Sequence, residues 1–179
     1  LPALLRQVPE IRRLDLQTQL AAQSTAPAAS VPPAAARRGG RGVRVGILDF
    51  GFAGYAEAGL PAPLAQRNFG AGSEPSTHGT GCARTIHALA PDAGLLLASI
   101  GDGRLAGEGQ AIAALQWLVA QGARGINISA SSYGGALDGS APLDRLIGEL
   151  AGRGITVVAA AGNHARQHWR GNVADRNGN

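Results

Sequence analysis

Four short apolar runs, each closing on a polar residue, alternate with segments of helical spacing, and this alternation limits the fold more than any other feature of the chain. Val43-Arg44-Val45-Gly46-Ile47-Leu48-Asp49 is a β-branched run ending in a carboxylate, and Leu95-Leu96-Leu97-Ala98-Ser99 is a second strand. Gly125-Ile126-Asn127-Ile128-Ser129 is a third, and Ile155-Thr156-Val157-Val158-Ala159-Ala160 a fourth, leading into Gly162-Asn163. Between them, Glu108 to Gln121 is spaced as a helix through Ile112, Leu115, Leu118 and Val119 and stops at Gly122. Ser140 and Pro142 open another helix, with Leu143, Leu146, Ile147 and Leu150 apolar, which ends around Gly152. Strands alternating with helices through short glycine turns run parallel, with both faces of their sheet covered. The expectation is an α/β fold: a doubly wound, mainly parallel sheet with helices on both faces, incomplete in this chain. Ligands bind such sheets beyond the carboxyl ends of the strands, and Asp49, Ser129 and Asn163 fall at such ends.

Length and composition set the frame. At 179 residues, with 45% apolar residues and 27 glycines, the chain suits one globular domain plus a short appendage. Residues 1–23 are spaced first as a helix and then as an extended segment around Ile11-Arg12-Arg13-Leu14-Asp15-Leu16, which marks an N-terminal extension. Residues 24–42, with Pro27, Pro32, Pro33, an alanine run and Arg37-Arg38-Gly39-Gly40-Arg41-Gly42, read as an exposed linker. The globular part is expected over 43–179. All 16 basic residues are arginine and, against 12 acidic residues, leave a net charge of +4. They are scattered, and aromatics make up only 4% of the chain, a pattern that argues against nucleic acid as a partner. One cysteine, Cys82, rules out an internal disulfide. No segment reaches the ~18 apolar residues of a membrane span. Leu1-Pro2-Ala3-Leu4-Leu5-Arg6 lacks the pattern of a signal peptide, so a leader would lie upstream.

The chemistry gathers around Thr77-His78-Gly79-Thr80-Gly81-Cys82-Ala83, where a loop turns into a helix-compatible run ending near Leu89. His78 carries an imidazole suited to proton transfer near neutral pH. Asp49, at a strand end, can orient an imidazole and stabilise its protonated form. Asn163, among small residues, offers an amide donor to a developing oxyanion, where one donor contributes about 3 kcal/mol. Each residue also has a plainer reading: His78 as a turn cap, Asp49 as a turn acceptor, Asn163 as a strand-end turn former. Cys82, four positions after His78, reads as a small buried side chain, with a nucleophilic role as the alternative.

Four segments together resemble the subtilisin-like serine peptidases, the subtilases. Val45-Gly46-Ile47-Leu48-Asp49-Phe50-Gly51 resembles the segment around the family's triad aspartate, and His78-Gly79-Thr80-Gly81-Cys82-Ala83 its His-Gly-Thr motif. Gly125-Ile126-Asn127-Ile128-Ser129 resembles the strand leading to the substrate cleft, and Val157-Val158-Ala159-Ala160-Ala161-Gly162-Asn163 the segment of the oxyanion asparagine. The resemblance implies the N-terminal part of a subtilisin-like catalytic domain and hydrolysis of peptide bonds by an Asp-His-Ser mechanism. In it Asp49 orients His78, His78 is general base and acid, and Asn163 is an oxyanion donor. Backbone at Ser129, Ala130 and Ser131 would pair with an extended peptide or protein substrate. Residues 1–23 resemble the end of an inhibitory propeptide, and the family's habit implies a secreted or extracytoplasmic protein. No cofactor is required; calcium is implied as an option, with Asp175, Asn177 and Asn179 as candidate ligands.

The departures from the family pattern are specific. Phe50 stands where a serine or threonine is usual, removing a hydroxyl from beside the carboxylate, and Ser131 stands where a glycine lets substrate approach. No serine follows Asn163, so the nucleophile is expected beyond residue 179, in a C-terminal segment that completes the site. The alternative is an inactive pseudo-protease that keeps the cleft as a peptide- or protein-binding module.

Overall fold

The computed structural model describes residues 19–22, 39–70, 76–101, 105–131 and 138–160. Their core is a five-stranded, wholly parallel sheet of β2 (Arg44–Asp49), β3 (Ala65–Asn68), β4 (Gly94–Ser99), β6 (Gly125–Ile128) and β8 (Thr156–Ala159), in the order β3-β4-β2-β6-β8. The chain lays β3 and β4 on one side of β2 and then crosses to the other. The carboxyl end of β2 therefore opens at the crossover, where such sheets bind ligands.

The apolar runs account for this arrangement. Alternate residues of the central strands face opposite layers: Ile47, Leu95 and Leu97 pack with Ala83, and Leu48, Leu96 and Ala98 pack with Ala111, Ala114, Leu115, Leu118 and Leu150. Helix α1 (His78–Leu89) covers the first face, and α2 (Glu108–Ala120) with α3 (Pro142–Gly152) covers the second. The doubly wound α/β expectation holds. At the close crossing of β2 and α2, a Cβ on Gly46 would lie 3.0 Å from Leu118 Cδ1, so the helix seats closely against the strand here. None of the helices among the described residues is long and apolar enough to cross a membrane.

Two features were not read from the sequence. Gly39 and Gly40, placed in the linker, pack onto the turn after α1: Asp92 N donates to Gly39 O at 2.6 Å, and Val43 N donates to Gly40 O at 3.0 Å. A second, three-stranded antiparallel sheet also forms, in the order β5-β1-β7, from β1 (Gln19–Ala22), β5 (Leu105–Gly107) and β7 (Ala130–Ser131). The N-terminal extension supplies its middle strand.

Candidate active site

The site is built where β2 ends and α1 begins. Asp49, the last residue of β2, is fully buried, and its Oδ1 accepts a hydrogen bond from Phe50 N at 2.7 Å. His78, the first residue of α1, brings Nδ1 to 2.9 Å from Asp49 Oδ1 and 2.8 Å from Oδ2, with 15% of its side chain exposed. Burial raises the Asp49 carboxyl above the usual carboxylate range, outweighing the attraction of His78 and the Phe50 N–H bond, which both lower it.

The backbone around this pair is tied together at several points. Gly79 N donates to Gly51 O at 3.0 Å, Ala53 N to Ser76 O at 2.9 Å, and Thr80 Oγ1 to Ala53 O at 2.8 Å, while His78 N donates to Ser76 Oγ at 3.3 Å. A Cβ on Gly79 would lie 2.6 Å from Gly51 O and 2.7 Å from the Phe52 ring, so only glycine lets α1 start against this loop. The motif spacing thus has a mechanical cause. The glycine after the histidine permits the close approach, and the close approach sets the imidazole on the carboxylate.

The departures noted in sequence look different in three dimensions. Phe50 is buried at 1% exposure in the core, and its backbone N–H supplies the carboxylate with a hydrogen bond. Ser131 does not keep an extended segment away: β1 lies beside it, with Ala21 opposite Ser131, Ala22 opposite Ala130, and Gln19 to Ala21 opposite Gly107 to Leu105 on the other side. Of the three residues expected to meet an extended peptide, Ala130 and Ser131 pair with β1. Ser129 does not; its Oγ accepts a hydrogen bond from Asn127 Nδ2 at 2.9 Å and lies 3.2 Å from Cys82 Sγ.

Cys82 follows the plainer of its two readings, a small side chain set against the core. It is partly buried, packs against the buried cluster that includes Ile47 and Leu97, and its Sγ lies 3.6 Å from Asp49 Oδ2. Its single S–H is shared between Asp49 and Ser129. The i, i+4 spacing from His78 was the available signal, since it puts both side chains on one face of the helix. Asn163, the oxyanion candidate, and Asp175, Asn177 and Asn179, the calcium candidates, lie outside the described residues.

A buried carboxylate that fixes one nitrogen of an imidazole on the rim of a sheet can present the ring's other nitrogen as a proton acceptor. An extended segment runs past the same rim. With that geometry established, the comparisons agree in one direction. The family model described as subtilase matches residues 40–177. Alkaline elastase YaB from Bacillus sp. (strain YaB) is 32% identical over 150 residues, an alignment that takes in 73% of this chain and 37% of that protein's length.

Proposed function

The chain belongs to the subtilase family of serine peptidases, and from that premise we propose that it forms the N-terminal part of a secreted serine endopeptidase. In this reading, peptide bonds are hydrolysed through an acyl-enzyme on a serine carried beyond residue 179. His78 takes the serine's proton and returns it to the leaving amine. Asp49 holds Nδ1–H, which leaves Nε2 as the acceptor and stabilises the imidazolium when it forms. Asn163 donates to the oxyanion. The observation that carries this reading is the Asp49–His78 contact, with Nδ1 at 2.8 and 2.9 Å from the two carboxylate oxygens.

The N-terminal strand supports the same reading from another direction. Its backbone lies between β5 and β7 and pairs with Ala130 and Ser131, two of the three residues expected to receive an extended substrate. Residues 1–23 then act as a propeptide whose segment Gln19-Leu20-Ala21-Ala22 fills the substrate cleft in product-like fashion. Main-chain pairing on both sides is the mode by which sheet edges capture peptides, with side-chain pockets adding selectivity.

The test is made on the complete parent protein. Asp49→Asn and His78→Ala are each expected to lower kcat/KM on a peptide substrate by about four orders of magnitude, while folding is retained. Turnover that survives both substitutions would overturn the assignment. A pseudo-protease would show no turnover before substitution, and no labelling of a serine by a fluorophosphonate.

A further inference from the structure

Two very short strands wall the place where β1 lies: β5 has three residues and β7 has two. With β1 between them they stand about 9.6 Å apart, two interstrand spacings. Their buried side chains are alanines, Ala106 and Ala130, which rest on the core but offer little surface to lock a strand in register. We infer that Gln110 is a positioning residue for peptide binding: its amide ties the β5 wall to the five-stranded sheet and keeps the gap at the width of one extended strand. The inference rests on the reading of the β1 position as the substrate cleft.

Gln110 makes two hydrogen bonds that lead to different parts of the fold. Its Oε1 accepts from Gly107 N at 2.7 Å, and Gly107 is the last residue of β5, opposite Gln19. Its Nε2 donates to Phe69 O at 3.3 Å, 41 positions away in sequence. Phe69 is itself fixed: its N donates to Ser99 O, at the end of β4, at 2.7 Å, and its ring meets Trp117 of α2 edge-on with centroids 5.9 Å apart. One side chain therefore joins the wall to a residue locked on the central sheet.

The first bond alone is an ordinary helix cap. Gln110 is the third residue of α2 and satisfies the donor at its start, as the second half of a capping box does. A cap has no use for the second bond, and that bond is what fixes β5 relative to β4. The other wall is held differently. β7 follows β6 through Ser129, whose Oγ accepts from Asn127 Nδ2 at 2.9 Å, so its position is set along the chain. β5 is the wall that needs a tie across space, and Gln110 supplies one.

Gln110→Glu separates the two bonds. A carboxylate keeps an acceptor for Gly107 N and favours the first turn of α2, but at neutral pH it has no donor for Phe69 O. In the complete parent protein, KM is expected to rise about tenfold on a peptide with four residues on its acyl side, as many as β1 has. The rise should be clearly smaller on a single-residue ester, and kcat should change less than KM. In the 179-residue chain, hydrogen exchange of the β1 amides should quicken about tenfold while β2 and β4 keep their protection. Gln110→Ala loses both bonds and should do at least as much in each measurement. Circular dichroism checks that both variants fold, and Gln110→Ala carries the length comparison should the charged variant not fold. Wild-type behaviour of folded Gln110→Glu would overturn the inference and leave Gln110 a cap. So would an equal loss on both substrates or equal loosening of both sheets, either of which marks a general structural role. If the parent proves inactive, exchange decides alone: faster exchange confined to the three-stranded sheet keeps the tie while the peptidase reading falls.

Discussion

The two sheets of this molecule are made by different means, and the contrast separates what holds the fold from what receives a peptide. The five-stranded sheet is built around central strands, β2 and β4, whose apolar side chains are removed from water on both faces; Ile47, Leu48, Leu97 and Ala98 are all at 0% exposure. The three-stranded sheet joins short pieces far apart in sequence, with Gln19 opposite Gly107 and Ala22 opposite Ala130. Burial of apolar area drives the first, at roughly 25 cal/mol per Å². The second rests on main-chain pairing, whose net contribution is only about 1 kcal/mol for each bond. One sheet is scaffold and the other is a seat, and Asp49, His78 and Cys82 stand near where they meet.

The sharpest way to break this contrast is to cut into the scaffold. Leu97→Ala removes a fully buried β4 side chain from the layer between the sheet and α1. The expected loss is about 2–5 kcal/mol of unfolding free energy, measured by denaturant titration. A loss below about 1 kcal/mol would mean that the layer over this face collapses readily around the gap, and that the core is less exacting than its burial suggests.

The same contrast explains what the sequence made legible. β2, β4, β6 and β8 were marked by β-branched or leucine-rich runs, and α2 and α3 by helical spacing closed by glycine, so the parallel sheet and its covering helices could be read in advance. Asp49 and His78 were legible because strand end and helix start are local signals, and Gly79 marked the tight approach between them. β3 was missed because Ala65-Gln66-Arg67-Asn68 is an edge strand with mostly exposed side chains and carries no apolar pattern. β1, β5 and β7 were missed because pairing between distant short segments leaves no periodicity in any window. The contact of Cys82 with Ser129 was hidden for the same reason, since 47 positions separate them.

Cys82 offers a second way to sharpen the comparison, because its environment is that of the scaffold although it lies near the seat. Burial pushes its thiol up to about 11, with the Ser129 contact lowering and the Asp49 carboxylate raising it. A folded-state value above the ordinary thiol pKa of about 8.5 keeps the group protonated through mildly alkaline pH. Alkylation by iodoacetamide at about pH 8 should therefore run about two orders of magnitude slower than for a free thiol. Its rate should keep climbing about tenfold per pH unit beyond about pH 9. Intact mass against time gives the rate, and levelling off near the ordinary thiol value would show that the sulfur is in open water and belongs to the cleft.

The smallest effect is expected where the seat alone is disturbed. Leu20→Pro places a residue without an N–H in the middle of β1, whose partners on both sides are short strands. Because β1 pairs only within the three-stranded sheet, global unfolding should shift by less than about 1 kcal/mol. Local protection should nevertheless fall: amides of Leu105–Gly107 and Ala130–Ser131 would exchange faster while those of β2 and β4 stay protected. Equal loosening of both sheets would be the informative failure. It would make β1 part of the cooperative core rather than an occupant of the cleft, and a segment that cannot leave without unfolding the domain cannot serve as a releasable plug.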